Sequence, residues 1–184
     1  MNPAHLMDAA DCELLLRLLE LPTIGPLERR PTDPPPELWE AQRAYAGAAG
    51  KLGFTVVHHA AARPADVAGD DVPVAVRRAV AADPGFLEAQ PSLVLRLGPA
   101  RPRAATVMFN VHLDTVTGLL PVDFDGSGFR GRGAIDAKGP AAALLAGIRG
   151  AIAAEPAIGT GIGVLIQAVS GEEGGAMGTI GTRL

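Results

Sequence analysis

Leu14, Leu15, Leu18 and Leu19 recur at helical spacing within residues 8–21, and the pattern stops at Pro22, which predicts an amphipathic first helix. Residues 22–36 hold six prolines and predict an extended loop, whose last prolines lead into a second helix through Leu38, Trp39, Ala46 and Leu52. Gly53 stops that helix. The β-branched, apolar stretch at 54–59 predicts a strand closing on His58 and His59, which have no nearby carboxylate in sequence and are read as surface or core-edge residues. Weak helical periodicity over 72–82 predicts a third helix, and residues 92–97 a second short strand.

Two near-continuous apolar runs, at 104–111 and 163–169, suit strands covered on both faces. An Ala/Leu-rich helix from about residue 140 to 154 separates them, and a small hairpin around Asp125-Gly126-Ser127-Gly128 precedes it. Strand, helix and strand in that order make a right-handed crossover that lays the two strands parallel. The expected class is therefore α/β, with a largely parallel central sheet flanked by helices, in one domain over residues 1–184.

This order gathers the candidate chemistry. His112 and the pair Glu172-Glu173 follow the carboxyl ends of the two apolar runs, and Asp136 lies in the loop leading into the connecting helix. In open α/β sheets that end of the strands forms the ligand crevice. Imidazole nitrogen and carboxylate oxygen suit zinc and its neighbours, and Asp114, two residues beyond His112, is placed to take the second ring N–H and fix the tautomer. Gly131, Gly133 and Gly139 let the chain turn tightly beside Asp136, and Gly171, Gly174 and Gly175 do so beside the acidic pair. Lysine occurs only at 51 and 138, so Lys138 beside Asp136 stands out in a chain that otherwise uses arginine.

Composition narrows the setting. The net charge of −4, with no basic stripe, speaks against a nucleic-acid or anionic-membrane surface. Arg149 and Glu155 interrupt the longest apolar candidate for a membrane span, and Asp8, Asp11 and Glu13 stand where a secretory signal wants basic residues. Cys12 is the single cysteine, which fits a reducing compartment; the expected location is the cytoplasm.

Three stretches, Asn110-Val111-His112-Leu113-Asp114-Thr115-Val116, Gly131-Arg132-Gly133-Ala134-Ile135-Asp136-Ala137-Lys138-Gly139 and Ser170-Gly171-Glu172-Glu173-Gly174-Gly175, resemble the successive signatures of a zinc amidohydrolase and peptidase superfamily. That superfamily includes acetylornithine deacetylase, succinyl-diaminopimelate desuccinylase, aminoacylase and glutamate carboxypeptidase. Leu21-Pro22-Thr23-Ile24-Gly25 resembles its usual opening. The resemblance implies two zinc ions, or other divalent metals such as cobalt, with His112 on one, Glu173 on the other and Asp136 bridging them. It further implies Glu172 as general base, Asp114 orienting His112, and a cis peptide bond after Asp136. The implied reaction is hydrolysis of an amide in a small N-acyl amino acid or related compound.

The resemblance also implies parts that have no counterpart here: a further carboxylate ligand, a final histidine, and a smaller lid or dimerisation domain. Two protein ligands per ion fall short of a catalytic zinc site. The expectation is the N-terminal part of a catalytic domain, completed by a second polypeptide that brings the missing ligands and lid. The alternatives are a noncatalytic binding or regulatory subunit of a full-length relative, and a fragment of a longer enzyme. With no sheet neighbour or covering helices supplied after the strand at 163–169, an apolar edge or face is expected to be exposed unless another chain covers it, and residues 179–184 are expected to begin a new helix.

Overall fold

The computed structural model describes residues 7–83 and 85–175; the helix expected at 179–184 lies outside them. Helix α1 (Ala9–Glu20) starts at Asp8, whose carboxylate accepts the N–H groups of Ala10 and Asp11, while Asp11 accepts the N–H of Asp8 in return. This reciprocal capping satisfies donors that a helix start leaves open. Helix α2 (Leu38–Gly50) is followed by a turn closed by Gly53 at φ 91° and then by β1 (Phe54–Ala61). Next come α3 (Val74–Ala82), β2 (Pro91–Leu97), β3 (Thr106–His112), the hairpin strands β4 (Asp123–Phe124) and β5 (Phe129–Arg130), α4 (Lys138–Ala154) and β6 (Gly163–Val169).

The main sheet has the order β1-β2-β6-β3. β3 and β6 pair in parallel, from Thr106 against Gly163 to His112 against Val169, with α4 as their crossover. The expectation of a largely parallel sheet is corrected here: β1 with β2 and β2 with β6 are both antiparallel, so the sheet is mixed. That expectation rests on the crossover, whose two strands, β3 and β6, are indeed parallel; β1 and β2 lie outside it, and β2, with Leu93, Val94 and Leu95 all buried, runs against both its neighbours. The strand at 163–169 is interior, and among the described residues the sheet edges are β1 and β3.

Helix α2 lies over β1 and β2, α4 lies against β3, and α1 packs on both helices. Their shared core holds Leu14, Leu15, Leu18, Leu38, Tyr45, Leu145 and Ile166 against the inner face of the sheet. A separate small cluster of Val67, Val72, Val76, Phe86 and Leu87 anchors the long β1–β2 connection. Val56, Val57, Val107 and Met108, on the two edge strands, are exposed. Among the described residues no helix is long and apolar enough to cross a membrane.

The helical layer sets the stability of this arrangement. Leu18 is fully buried between the helices, and Leu18→Ala is expected to cost roughly 2–5 kcal/mol through lost burial and the cavity left behind. Met108→Ala, on the exposed face of β3, is expected to stay within about 0.5 kcal/mol. Urea unfolding of the two variants measures the contrast, and equal effects would contradict this assignment of the core.

Candidate metal centre

Pairing of β3 with β6 places His112 and the Ser170–Glu173 turn side by side, because His112 lies opposite Val169 and Leu113 donates its N–H to the Val169 carbonyl at 3.2 Å. Asp136 arrives from the loop before α4. That loop is folded tightly: the N–H groups of Lys138 and Gly139, otherwise unpaired at a helix start, both point to the Gly133 carbonyl, at 2.9 and 3.3 Å. A side chain at Gly139 would collide with the Ala134 carbonyl oxygen, so only glycine fits there. The Asp136–Ala137 peptide bond is cis.

One ligand atom from each of His112, Asp136 and Glu173 lies within 4.8 Å of the others. His112 Nε2 is 3.0 Å from Asp136 Oδ1 and 3.8 Å from Glu172 Oε2. The imidazole is buried, while the Asp136 and Glu172 side chains keep 72% and 53% of their exposure, so the donors converge at an open mouth. His58 and His59 are not brought there; they lie on β1, the opposite edge of the sheet from β3, with the His59 ring against Trp39 at 4.7 Å.

Asp114 is fully buried and holds this group from beneath. The bond to His112 differs in detail from the expected one. His112 Nδ1 is 3.0 Å from the Asp114 main-chain carbonyl and 3.6 Å from its carboxylate Oδ1. Since a carbonyl only accepts, Nδ1 carries the hydrogen and Nε2 is left to face Asp136. The carboxylate is turned to the second strand, where Oδ2 accepts the Glu173 N–H at 3.1 Å. Asp114 therefore ties the histidine to the acidic turn. The Thr23-Ile24-Gly25 segment closes over this strand end: Thr115 N–H bonds to the Thr23 carbonyl and Gly25 N–H to the Thr115 carbonyl.

Two supports escaped the sequence reading. Gln42, on α2, is fully buried, and its Nε2 lies within bonding distance of the Pro91 and Ala168 carbonyls and of Ser170 Oγ, at 2.8, 2.9 and 3.1 Å. Ser170 Oγ in turn donates to the Pro91 carbonyl at 2.6 Å, so the residue that opens the acidic turn is anchored to α2 and β2. The signal was present as a glutamine on the apolar stripe Leu38, Ala41, Gln42, Tyr45, Ala49. Lys138, noted for its rarity, is buried with Nζ donating to the Leu21 carbonyl at the end of α1, at 2.9 Å. Burial lowers its pKa to about 8, and it faces a helix end rather than the acids.

The donor set fits a divalent metal ion. Zinc bonded at roughly 2.0–2.2 Å to each donor holds tetrahedral ligand atoms about 3.3 Å apart, so the 3.0 Å between His112 and Asp136 needs little change. The electrostatics point the same way. Burial, and then the negative charge of Asp136, raise the Glu173 carboxyl above its usual range, with His112 opposing. Burial of His112 opposes its charge, but the neighbouring Asp114 and Asp136 prevail and raise its pKa to about 9. Without a metal, a proton on His112 supplies the positive charge these acids require.

No protein-family profile matches the chain, and no curated protein sequence matches it. Its fold is nevertheless shared with solved structures. Human carnosine dipeptidase 1 superposes with a TM-score of 0.54 at 19% identity, over 89% of this chain and 32% of that one. The aminopeptidase PepT of Bacillus cereus gives 0.53 at 16% identity, over 92% and 38%. The di-peptidase Dug1p of Saccharomyces cerevisiae gives 0.52 at 15% identity, over 89% and 32%. The chain thus spans about a third of the length of the structures it matches, and the likeness is one of fold.

A pH dependence follows from His112. The pKa in the metal-free fold, about 9, exceeds the ordinary 6.5, so its charged form adds stability that is complete below about 6.5 and lost as pH rises through about 9. A metal ion needs the neutral ring, so zinc affinity is expected to climb between pH 6 and 9, with proton release on binding. Calorimetric titration in buffers of differing ionisation enthalpy measures both, and an affinity independent of pH would contradict the role given to His112.

Proposed function

We propose that this chain is the N-terminal part of the catalytic domain of a zinc-dependent hydrolase, one that cleaves an amide bond in a small N-acyl amino acid or related compound. The carrying observation is the convergence of His112, Asp136 and Glu173 within 4.8 Å at the carboxyl ends of two parallel strands, with the Glu172 carboxylate beside them. A fold shared with two dipeptidases and an aminopeptidase supports the same reaction class. In this reading His112, Asp136 and Glu173 would hold the metal, two ions in the completed site, and a second polypeptide would supply the remaining ligands and a lid. The exposed edge of β3, with Val107 and Met108, is a surface such a partner would cover. The proposed setting is the cytoplasm, as the single cysteine suits.

When bound, zinc supplies polarisation of the amide carbonyl and acidification of water. The chain's own residues perform the remaining work. Glu172 takes a proton from the attacking water on its exposed carboxylate and returns it to the departing amine nitrogen. Asp114 fixes the His112 ring through its carbonyl and the backbone of Glu173 through Oδ2, so the two donors keep one separation during turnover.

In the completed assembly Glu172→Gln is expected to keep the fold and most zinc affinity while lowering amide hydrolysis roughly 100-fold or more, the scale of a general acid–base group. Glu173→Gln is expected to lower zinc occupancy together with rate. Zinc content and turnover, measured on both variants, separate proton transfer from metal binding. Unchanged turnover in Glu172→Gln, with the assembly intact, would favour a noncatalytic regulatory subunit.

A further inference from the structure

A cavity of about 210 Å³ opens at the end of the sheet where β3 and β6 begin, lined by Arg96 and Arg101 with Val57, Pro99 and Leu165. Thr106 and Gly163 pair there, six residues before His112 and Val169, so the cavity lies about 20 Å along the strands from the metal donors. Arg96 stands on the outer face of the sheet, because Leu95 and Leu97 on either side of it are buried in the core beneath the helices and side chains alternate along a strand. Register sets Thr55 and Leu165 beside it and Met108 beyond. None of these is acidic, and residues 54–65, 89–113 and 156–171, which hold all four strands and the loops around the cavity, contain no Asp or Glu.

Both cations are held there without being neutralised. Arg96 Nε is buried and has no hydrogen-bond partner among the described residues, a costly state for a charged donor. Arg101 donates through Nη2 to a neutral group, the Thr160 carbonyl. Its loop is pressed against the facing turn: Gly98 has φ 80°, and a side chain there would collide with the Gly159 carbonyl oxygen.

We infer that this cavity binds a phosphate group between Arg96 and Arg101, at a site separate from the metal centre and independent of the hydrolase function proposed above. Charge selects the ligand. Two unpaired guanidinium groups are balanced by a group that carries close to two negative charges at neutral pH, whereas a carboxylate would leave one of them unmet. Geometry agrees, since several acceptor oxygens on one centre can take the free Arg96 Nε and a guanidinium N–H of Arg101 together. Apolar walls from Val57, Pro99 and Leu165 lower the local dielectric and strengthen both bonds. The same walls give a small carbon group on the phosphate a surface to rest on, so the ligand is either free phosphate or a small phosphomonoester.

The test titrates the full ¹⁵N-labelled chain with inorganic phosphate and, separately, with methyl phosphate, at constant ionic strength, and follows the backbone amides by NMR. Saturable shifts are expected at Arg96, Arg101, Thr106 and Gly163, with Leu113 and Asp136 unmoved. Tighter binding of methyl phosphate would assign the site to a phosphomonoester, and equal or tighter binding of inorganic phosphate to the free anion. Arg96→Gln and Arg101→Gln are each expected to weaken binding about 10-fold or more, the scale of a charge-assisted bond, and Arg96→Lys to recover part of the loss. Arg78→Gln removes an exposed arginine of α3, outside the cavity lining, and is expected to change affinity by less than about 2-fold. Absence of saturation by either probe, shifts centred on Leu113 and Asp136, or binding that survives both Gln substitutions would overturn the proposal. Each of these results leaves the metal reading, which zinc uptake tests, untouched.

Discussion

The register between β3 and β6 is the constraint on which the site depends. Side chains alternate along a strand, so a slip of one residue would turn His112 away from Asp136 and carry Glu173 along the strand axis. The observed pairing, His112 against Val169, is locked one residue further on by the Leu113 N–H bonding to Val169 and by Asp114 reaching across to the Glu173 N–H. A buried carboxylate without such bonds would be costly. Here its placement joins the two strand ends that carry the donors.

The same economy explains the loops. Each donor outside the strands sits on a short turn fastened to a helix: Asp136 on a turn whose Gly133 carbonyl collects the first N–H groups of α4, Glu172 and Glu173 on a turn whose opening Ser170 is held by Gln42 of α2. Lys138 adds a bond from the Asp136 loop back to the end of α1 at Leu21. The three helices of the core thus each steady part of the centre. The Asp136 and Glu172 carboxylates remain exposed while the His112 imidazole is buried.

Much of this was legible in the chain. Helix α1, the strand at 163–169 and the α4 crossover follow from spacing alone, and the placement of His112, Asp136 and Glu173 in one crevice follows from the crossover. Strand direction was less legible, because β2 is apolar on both faces and nothing in that pattern distinguishes antiparallel from parallel burial. The start of α4 came two residues early, at Lys138, since Pro140 is tolerated in a first turn where its missing N–H has no partner to lose. The division of labour at Asp114, main-chain carbonyl to the histidine and carboxylate to Glu173, depends on side-chain rotation that spacing does not encode. Gln42 was hidden for a related reason: its partners lie 49 and 126 residues away.

The central claim is that His112, Asp136 and Glu173 form a metal centre. Anomalous diffraction at the zinc edge from crystals of the zinc-loaded protein tests it most directly. The account predicts a peak in bonding contact with His112 Nε2 and with carboxylate oxygens of Asp136 or Glu173, and no peak there in His112→Ala. Zinc bound instead at His58 and His59 on β1, with density absent beside Asp136, would contradict it.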